Sequence, residues 1–435
     1  MKRLITIILT SFFLLFNMTP AVKALVTPPV ASSPPVASAD SVVLIDATTG
    51  KILYEKNKDS AYPPASTTKI MTILLVLEKC NLNDVVTVSK NAEIADGSKI
   101  YLFEGEKISV KELLYGLILA SANDCAVALA EHISGSIEEF SKLMNEKAKT
   151  LGCENTHFVN PNGLYDVNHK TSAYDLSLIM MELTKHDEYK EIATTSSYIM
   201  APTNKSTAKR PLWNGNRLIQ KGDPYYYPDC VGGKTGYTIQ SKHSFIAVAT
   251  RNGQKLIVAL VHDSVKTFFA DSRKLLDYGF DNFELSKYFT KDDVVSNLTL
   301  DDGTVLPLLA SQDFYIVKSK DSTLTPTIKT EQNEMDTTSI KKGELISKAT
   351  IAFGEDSYTL DLSSGKDYAK KSKITSSLRN NLKAFKSSTL LINIIKYLAI
   401  TIALFLIFMR VRKLRRRKKN KLKNFIENLN NKKRR

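Results

Sequence analysis

The 435-residue chain is poor in the residues that build disulfide frameworks and metal centres. It holds only four cysteines and six histidines. The cysteines are widely spaced and show no paired framework, and the histidines have no ligand spacing with them. We therefore expect no metal site and no cofactor. Cys125, on an apolar helix pattern, is interpreted as a small buried hydrophobe.

Acidic residues are scarce at the C-terminus. Residues 410–435 hold 14 Lys/Arg against one acid, Glu427. Together with the basic residues of the N-terminal 24, this tail accounts for the formal net charge of +15 and leaves residues 25–409 close to neutral. The charge is therefore no argument for a nucleic-acid partner, and none is expected. The expected partner of the tail is anionic membrane lipid.

The N-terminus has the form of a signal peptide. Residues 1–24 combine Lys2 and Arg3 with a following apolar run and small residues near Ala24. Residues 25–39 contain four prolines and are predicted to form an extended spacer that does not pack.

A second apolar run lies near the other end. Residues 389–409 are long enough to cross a bilayer as one helix, and a helix lying in the membrane interface is the alternative. Basic residues beside a span are retained in the cytoplasm. We therefore predict a single-pass protein of the cell membrane, with its main domain extracellular and residues 410–435 as a basic cytoplasmic tail.

Between the two ends, the sequence divides into two regions that differ in their hydrophobic pattern. Residues 40–283 are predicted to form one α/β domain, an antiparallel sheet with helices packed on it. Its predicted strands are 41–46, 51–56, 244–250 and 256–262. Asn252-Gly253 predicts the last hairpin, and a final helix from Phe268 is predicted to stop at Gly279. Residues 284–386 read as short alternating runs and predict a small all-β domain.

The first chemical motif is Ser66-Thr67-Thr68-Lys69. Two prolines and Ala65 precede it, and an apolar run follows, so Ser66 should begin a buried helix. Lys69 shares its face of the helix. A buried ammonium is costly, so its pKa should fall, and a neutral amine can take the serine proton. The pattern predicts a nucleophile, Ser66, and its base, Lys69; an ordinary capping serine with a solvated lysine is the alternative.

The second motif, Ser121-Ala122-Asn123, interrupts two apolar helix patterns with residues that favour turns. A serine hydroxyl there can pass a proton to a leaving amine, and the amide of Asn123 can hold a substrate carbonyl. A plain interhelical turn is the alternative.

The third motif, Lys234-Thr235-Gly236, precedes the hairpin and is predicted to lie on a strand. Its lysine and threonine offer donors to a carboxylate, and the N–H of Tyr237 with that of Ser66 predicts an oxyanion hole. A phosphate loop is excluded, because the spacing differs and no helix follows.

With these motifs in this order, the chain resembles the low-molecular-mass penicillin-binding proteins, the serine-type D-alanyl-D-alanine carboxypeptidases. Four stretches carry the resemblance: 63–72, 121–124, 155–164 and 234–238. The likeness covers about residues 40–385.

The resemblance implies a penicillin-binding/β-lactamase-like fold and removal of the terminal D-alanine from peptidoglycan pentapeptide, in cell wall remodelling. It implies an acyl-enzyme on Ser66, with catalytic Lys69 and Ser121, and acylation by β-lactam antibiotics. The substrate-binding residues it implies are Asn123, Lys234, Thr235, Gly236, Tyr237 and Thr238.

Two features depart from the family pattern. Ser241-Lys242 stand where the family usually has Ala-Gly, and the place of a carboxylate-binding arginine falls near Phe268. Lys242, Lys266 and Arg273 are the candidate replacements. The alternatives are a DD-endopeptidase, a β-lactam hydrolase, and a weakly active or non-catalytic wall-binding protein.

Overall fold

A computed structural model describes residues 33–331, 339–370 and 389–432, with isolated positions 378, 380 and 383. The predicted signal peptide lies outside the described residues. Two compact units divide the chain. The first runs to Lys291 and adds 312–327 and 352–357; the second takes 292–311, 328–351 and the remainder from Tyr358. The predicted domain boundary at 283/284 stays a prediction.

The α-helices of the described residues are α1 Lys69–Lys79, α2 Lys90–Glu93, α3 Val110–Leu119, α4 Asn123–Ser134, α5 Ile137–Thr150, α6 Ala173–Leu183, α7 Asp187–Ala193, α8 Phe268–Asn282 and α9 Thr389–Lys432. The strands are β1 Ser41–Asp46, β2 Ile52–Lys56, β3 Val85–Thr87, β4 Lys107–Ser109, β5 Ser197–Met200, β6 Arg210–Trp213, β7 Cys230–Thr238, β8 Lys242–Arg251, β9 Gln254–Asp263, β10 Phe283–Phe289, β11 Val294–Thr299, β12 Val305–Ala310, β13 Phe314–Ser319, β14 Thr327–Thr330, β15 Ser339–Ile340, β16 Leu345–Phe353, β17 Asp356–Ser364 and β18 Tyr368–Ala369.

The main sheet of the first unit has five antiparallel strands in the order β2-β1-β9-β8-β7. The predicted strand pairs at its start and end are confirmed. Asn252 and Gly253 join β8 to β9 with φ of 51° and 83°, the left-handed pair that a two-residue hairpin requires. The order leaves β7, which carries the third motif, at an edge of the sheet.

Both faces of this sheet are buried. Val43 and Ile45 of β1 point into a cluster with helices α1, α3, α4 and α6, whereas Val42 and Leu44 point into a second cluster with α8. This alternation explains why the strands are apolar at nearly every position. Within the first cluster, α1 is buried from Lys69 to Val76, so the expectation of a central buried helix after Ser66 is confirmed.

The predicted end of the last helix at Gly279 is wrong. Helix α8 continues to Asn282. A Cβ at Gly279 would lie 2.6 Å from Leu256 Cδ1 and 2.9 Å from Leu44 Cδ2. This glycine therefore permits close packing of helix on sheet and does not cap the helix.

The prediction of a spacer that does not pack is wrong for residues 37–39. Ala37 and Ala39 are buried, and the Ser38 hydroxyl donates to Asp263 Oδ1 at 2.8 Å. The Ser38 N–H donates to Asp271 Oδ2 at 3.1 Å. Buried carboxylates that need donors hold this segment, a long-range pairing that composition does not reveal.

The C-terminal all-β domain that the sequence predicts is confirmed. Five of its strands pair in the order β11-β12-β17-β16-β14. Beyond it, α9 contains the predicted span and is long and apolar enough, by length and composition, to cross a membrane.

Candidate active site

Ser66 lies in a 3₁₀ turn, Ala65–Thr68, that leads directly into α1. Ala65 has φ of 50°, a left-handed conformation that a non-glycine residue adopts at a cost. A Cβ on Gly163 would lie 1.9 Å from the Ala65 carbonyl oxygen. The turn before the serine is therefore held by close contact with a glycine loop.

Lys69 is fully buried, and its Nζ makes three hydrogen bonds. Its Nζ lies 2.9 Å from Ser66 Oγ, 2.6 Å from Asn123 Oδ1 and 2.6 Å from the Asn162 carbonyl oxygen. All three partners are neutral. Burial, followed by the charge of Lys234, lowers the pKa of Lys69 well below its usual value. Such an amine can accept the Ser66 proton, as the sequence predicts.

The second motif forms the junction of α3 and α4. Ser121 has φ of 58°, and α4 begins at Asn123. The Ser121 Oγ is buried and has no hydrogen-bond partner in the described part of the chain. A buried hydroxyl without a partner is available to a substrate.

Asn123 joins the second motif to the first and to a loop. Its Oδ1 accepts from Lys69, and its Nδ2 donates to the Asp96 carbonyl oxygen at 2.5 Å. A Cβ on Gly97 would lie 2.6 Å from Asn123 Nδ2, so this loop needs its glycine. The amide is thus fixed between the base and the cleft wall.

Asp124 supports the same loop and received no role from the sequence. Its buried carboxylate accepts the N–H groups of Ile100 and Leu102, at 3.0 and 3.1 Å, and that of Cys125 at 2.9 Å. The loop is therefore tied to the first turn of α4.

The third motif lies on β7 against the serine turn. A Cβ on Gly236 would lie 2.8 Å from the Pro64 carbonyl oxygen and 2.9 Å from Ser66 N. Only glycine permits this approach. The peptide N–H that follows belongs to Tyr237, so the two expected oxyanion donors come from adjoining backbones.

Lys234 and Thr235 face the same cleft. Lys234 is 4 % exposed, and its Nζ donates to the Thr235 carbonyl oxygen at 2.9 Å. Burial lowers the pKa of Lys234 to about 7. The structure therefore brings the first and third motifs together, with the second bridged to them through Asn123 and Lys69.

Comparison with known proteins agrees with this geometry. The D-alanyl-D-alanine carboxypeptidase family profile matches residues 29–264, and the profile of the penicillin-binding protein 5 C-terminal domain matches 283–370. The chain is 36% identical to D-alanyl-D-alanine carboxypeptidase DacF of Bacillus subtilis over 380 residues, 82% of this chain and 95% of the relative.

Solved structures are similar too. Penicillin-binding protein 5 from Haemophilus influenzae superposes with a TM-score of 0.68 at 30% identity, over 78% of this chain and all of that one. The Streptomyces K15 DD-transpeptidase gives 0.53 at 29% identity, over 57% of this chain and all of that one.

The chain belongs to the D-alanyl-D-alanine carboxypeptidase family. Its enzyme class is that of a serine-type D-alanyl-D-alanine carboxypeptidase, and its fold is the α/β catalytic domain with a C-terminal all-β domain. The apolar helix α9 fits a membrane-anchored penicillin-binding protein. The roles of individual site residues stay predictions.

Within this carboxypeptidase, the turn after the third motif is one of the two places where the sequence predicts a departure from the family pattern. Thr238 Oγ1 donates to Ser241 Oγ at 2.7 Å and accepts from Ser241 N at 2.9 Å. These bonds close the β7–β8 turn, where Lys242 has φ of 53°. Thr238 therefore stabilises the turn, and its substrate-binding role stays a prediction.

The three candidate replacements for the family arginine lie in different surroundings. Arg273 Nη1 donates to the Pro224 carbonyl oxygen at 2.7 Å. Lys266 lies close enough to His243 that its charge, after burial, lowers the pKa of that imidazole. The His243 ring stacks on Tyr237, with ring centroids 4.4 Å apart. His243 thus contacts Tyr237 beside the third motif and feels the charge of Lys266, whereas Arg273 is bonded to Pro224.

Sequence reasoning missed the residues that support Lys69 and the Ala65–Thr68 turn. Asn162 supplies a carbonyl to Lys69, and Gly163 permits the contact with Ala65. His169 accepts the Val159 N–H at Nδ1, so its Nε2–H donates to Thr68 Oγ1 at 2.8 Å. Burial lowers the pKa of His169 to about 4, which keeps it neutral. The stretch 155–164 supported the resemblance, but a backbone acceptor carries no side-chain signal.

Proposed function

We propose that the chain removes the terminal D-alanine from peptidoglycan pentapeptides through an acyl-enzyme on Ser66. The observation that carries the proposal is the buried Lys69 amine, whose Nζ lies 2.9 Å from Ser66 Oγ among neutral acceptors. A neutral amine in this position takes the proton of Ser66 as its oxygen attacks the carbonyl carbon of the penultimate residue.

The other motif residues take the remaining parts of the reaction. The N–H groups of Ser66 and Tyr237 stabilise the oxyanion of the tetrahedral intermediate. Ser121 relays the proton that Lys69 accepted to the nitrogen of the leaving D-alanine, whose carboxylate pairs with Lys234 and Thr235, and Lys69 is neutral again. Water then attacks the ester carbon, Lys69 takes its proton and returns it to Ser66 Oγ, and the shortened peptide leaves as its acid.

β-Lactam antibiotics are acylating inhibitors in this proposal. The same attack by Ser66 opens the lactam ring and leaves a penicilloyl ester. Fluorescent penicillin should label the wild-type protein and Ser60→Ala, a control six residues upstream, but not Ser66→Ala. Labelling of Ser66→Ala, or none of the folded wild type, would overturn the mechanism. Release of D-alanine from a pentapeptide separates a carboxypeptidase from a binding protein.

We also propose that α9 anchors the enzyme with its catalytic domain outside the cell and its basic tail on anionic lipid of the inner leaflet. The support is the apolar stretch of α9 followed by ten Lys/Arg in residues 410–423. In a variant whose four native cysteines are replaced by alanine, a single cysteine introduced at Asn420 should resist a membrane-impermeant thiol reagent in intact cells and react after lysis. Ready labelling in intact cells would reverse the topology.

A further inference from the structure

A cavity of about 300 Å³ opens beside the second and third motifs. The last turn of α3 and the side chain of Trp213 form its apolar part. Its polar part includes Ser121, Lys234 and Thr235 of the two motifs, together with Asn214 and Asn216. The cavity thus shares residues with the second and third motifs and has an aromatic residue in its lining.

The polar lining residues indicate which part of the substrate the cavity faces, if the proposed function is taken as the basis. In that reaction, Ser121 protonates the leaving nitrogen, and Lys234 with Thr235 holds the terminal carboxylate. Both groups belong to the leaving C-terminal residue of the substrate. Ser66 and Tyr237, which face the acyl group, are not among the residues that line the cavity. The cavity therefore lies on the leaving-group side.

The cavity is larger than a D-alanine requires. A volume of about 300 Å³ equals the share of roughly ten water molecules at about 30 Å³ each. The methyl group of alanine occupies a small part of such a space. Pockets of this size, with an apolar wall and a few convergent polar groups, are typical of sites for small ligands.

The wall that carries Trp213 is rigid. The next residue but one, Gly215, donates its N–H to the Leu119 carbonyl oxygen at 3.2 Å. Asn214 donates to the carbonyl oxygens of Ala193 and Thr195, each at 3.0 Å, and accepts the N–H of Asn216 at 2.9 Å. The backbone beside the tryptophan is thus fixed to α3 and α7.

The backbone of Trp213 is fixed by strand pairing, whereas its ring is exposed to solvent. It pairs with Ser197 at the end of β6, yet its side chain is largely exposed at 67 %. A large exposed aromatic ring at the mouth of a cavity gains burial when an apolar group enters. The Trp213 ring thus presents apolar surface that a bound apolar side chain would bury.

We propose that this cavity binds the side chain of the leaving C-terminal residue and admits apolar D-residues larger than alanine, with Trp213 as the specificity-determining residue. The proposal rests on the proposed function, because the direction of the cavity follows from the roles of Ser121, Lys234 and Thr235. Its occupant is defined by chemistry: a D-amino acid with an aliphatic or aromatic side chain and a free carboxylate.

The test compares two pentapeptides that differ only in the last residue, D-alanine or D-phenylalanine. Chiral chromatography of the released amino acid gives kcat/KM for each. The wild type should cleave the D-phenylalanine peptide within about tenfold of the D-alanine peptide. Trp213→Ala should lose about tenfold or more on the D-phenylalanine peptide and less than about threefold on the other, because one lost apolar contact discriminates by about 10–200-fold.

Two variants control for general damage. Trp213→Phe keeps an aromatic ring and should retain most of the activity on the larger substrate. Tyr288→Ala removes another ring, on β10, that is 39 % exposed but does not line the cavity, and kcat/KM for both peptides should stay unchanged.

The outcomes separate the two proposals. If the wild type releases D-alanine but cleaves the D-phenylalanine peptide more than about a hundredfold more slowly, the subsite is excluded. An equal loss on both peptides in Trp213→Ala also overturns it. Failure of the folded wild type to release either residue would instead contradict the proposed function.

Discussion

Lys69 and Lys234 face one cleft, and both are almost completely buried, but their surroundings differ. Lys69 donates to acceptors from three separate segments, the serine turn, α4 and the loop at Asn162. Lys234, among the described residues, has its one hydrogen bond to the neighbouring Thr235 carbonyl oxygen. The pKa of Lys69 falls well below its usual value, whereas that of Lys234 falls to about 7.

This difference separates the attacking part of the site from the part that grips the substrate. The attacking part is a network in which each polar group is held by others, so a change in one member disturbs several. The gripping part lies on an edge strand with donors left for a ligand. The departures from the family pattern, at Ser241-Lys242 and near Phe268, fall in this second part.

The largest effect is expected from removing the base. Lys69→Met should lower the rate of acylation by penicillin by about 10²–10⁴-fold, the usual contribution of a positioned general base. Its melting temperature should fall, because the buried Asn123 Oδ1 and the Asn162 carbonyl oxygen lose their donor, so the rate is measured on protein shown to be folded. Stopped-flow acylation and thermal unfolding measure the two quantities.

The matched control is Lys79→Met at the last turn of the same helix, which is exposed. It should leave acylation unchanged. Acylation of Lys69→Met at the wild-type rate would show that Lys69 is not the base of the attacking part.

Gly236→Ala tests the contact between the two parts. The new methyl group would meet the Pro64 carbonyl and the Ser66 nitrogen within 3 Å, so β7 must move away from the serine turn. Loss of one oxyanion donor costs about 10²–10³ in rate. We expect acylation to fall by that order.

A second glycine gives the comparison for this variant. Gly222→Ala places a methyl group where no atom lies within 4 Å, and the strain from its φ of 88° arises in its own turn, so its stability should fall while its acylation rate matches the wild type. Normal acylation by Gly236→Ala would contradict the proposed oxyanion hole.

The pH dependence of binding should expose the Lys234 ammonium. Below about pH 7 it is charged and pairs with the substrate carboxylate; above pH 7 it is neutral, and KM should rise towards about tenfold per pH unit. A substrate with an amidated C-terminus should lack this rise. A parallel rise in KM for both substrates would assign the effect to another group.

The same shift has the opposite sign for stability. In the unfolded chain the lysine titrates near about 10.4, so between about pH 7 and 10 the unfolded state binds more protons. The contribution of Lys234 to the free energy of unfolding should therefore rise with pH over this range and be flat below it. Comparing denaturant unfolding of the wild type and Lys234→Met isolates this contribution.

The smallest effect concerns the turn after the third motif. Lys242 adopts φ of 53°, which glycine accepts without strain. Lys242→Gly should change the free energy of unfolding by less than about 1 kcal/mol, since relieved strain is offset by a more flexible unfolded chain. A clear rise in KM in the same variant would identify Lys242 as the carboxylate-binding residue; an unchanged KM would leave Lys266 and Arg273 as the candidates.

Much of the local structure was predictable because its signals are local. The Asn252-Gly253 hairpin, the buried helix after Ser66 and the interruption at Ser121 each follow from residues next to one another. The predicted helix end at Gly279 was wrong because glycine occurs in two different structural situations. A helix end and a close helix–sheet contact both require glycine, and only the positions of Leu44 and Leu256 distinguish them.

By itself, the sequence determined which residue types could carry acyl transfer, their order, and the apolar segments at both ends, since these depend on composition and spacing. Tertiary structure alone decided which groups meet. It joined Asn123 and the Asn162 carbonyl to Lys69, separated by 54 and 93 residues, and placed Gly236 on the Ser66 turn. It also left Trp213 beside a cavity next to Ser121. Such contacts arise from packing between distant segments, and no local pattern encodes them.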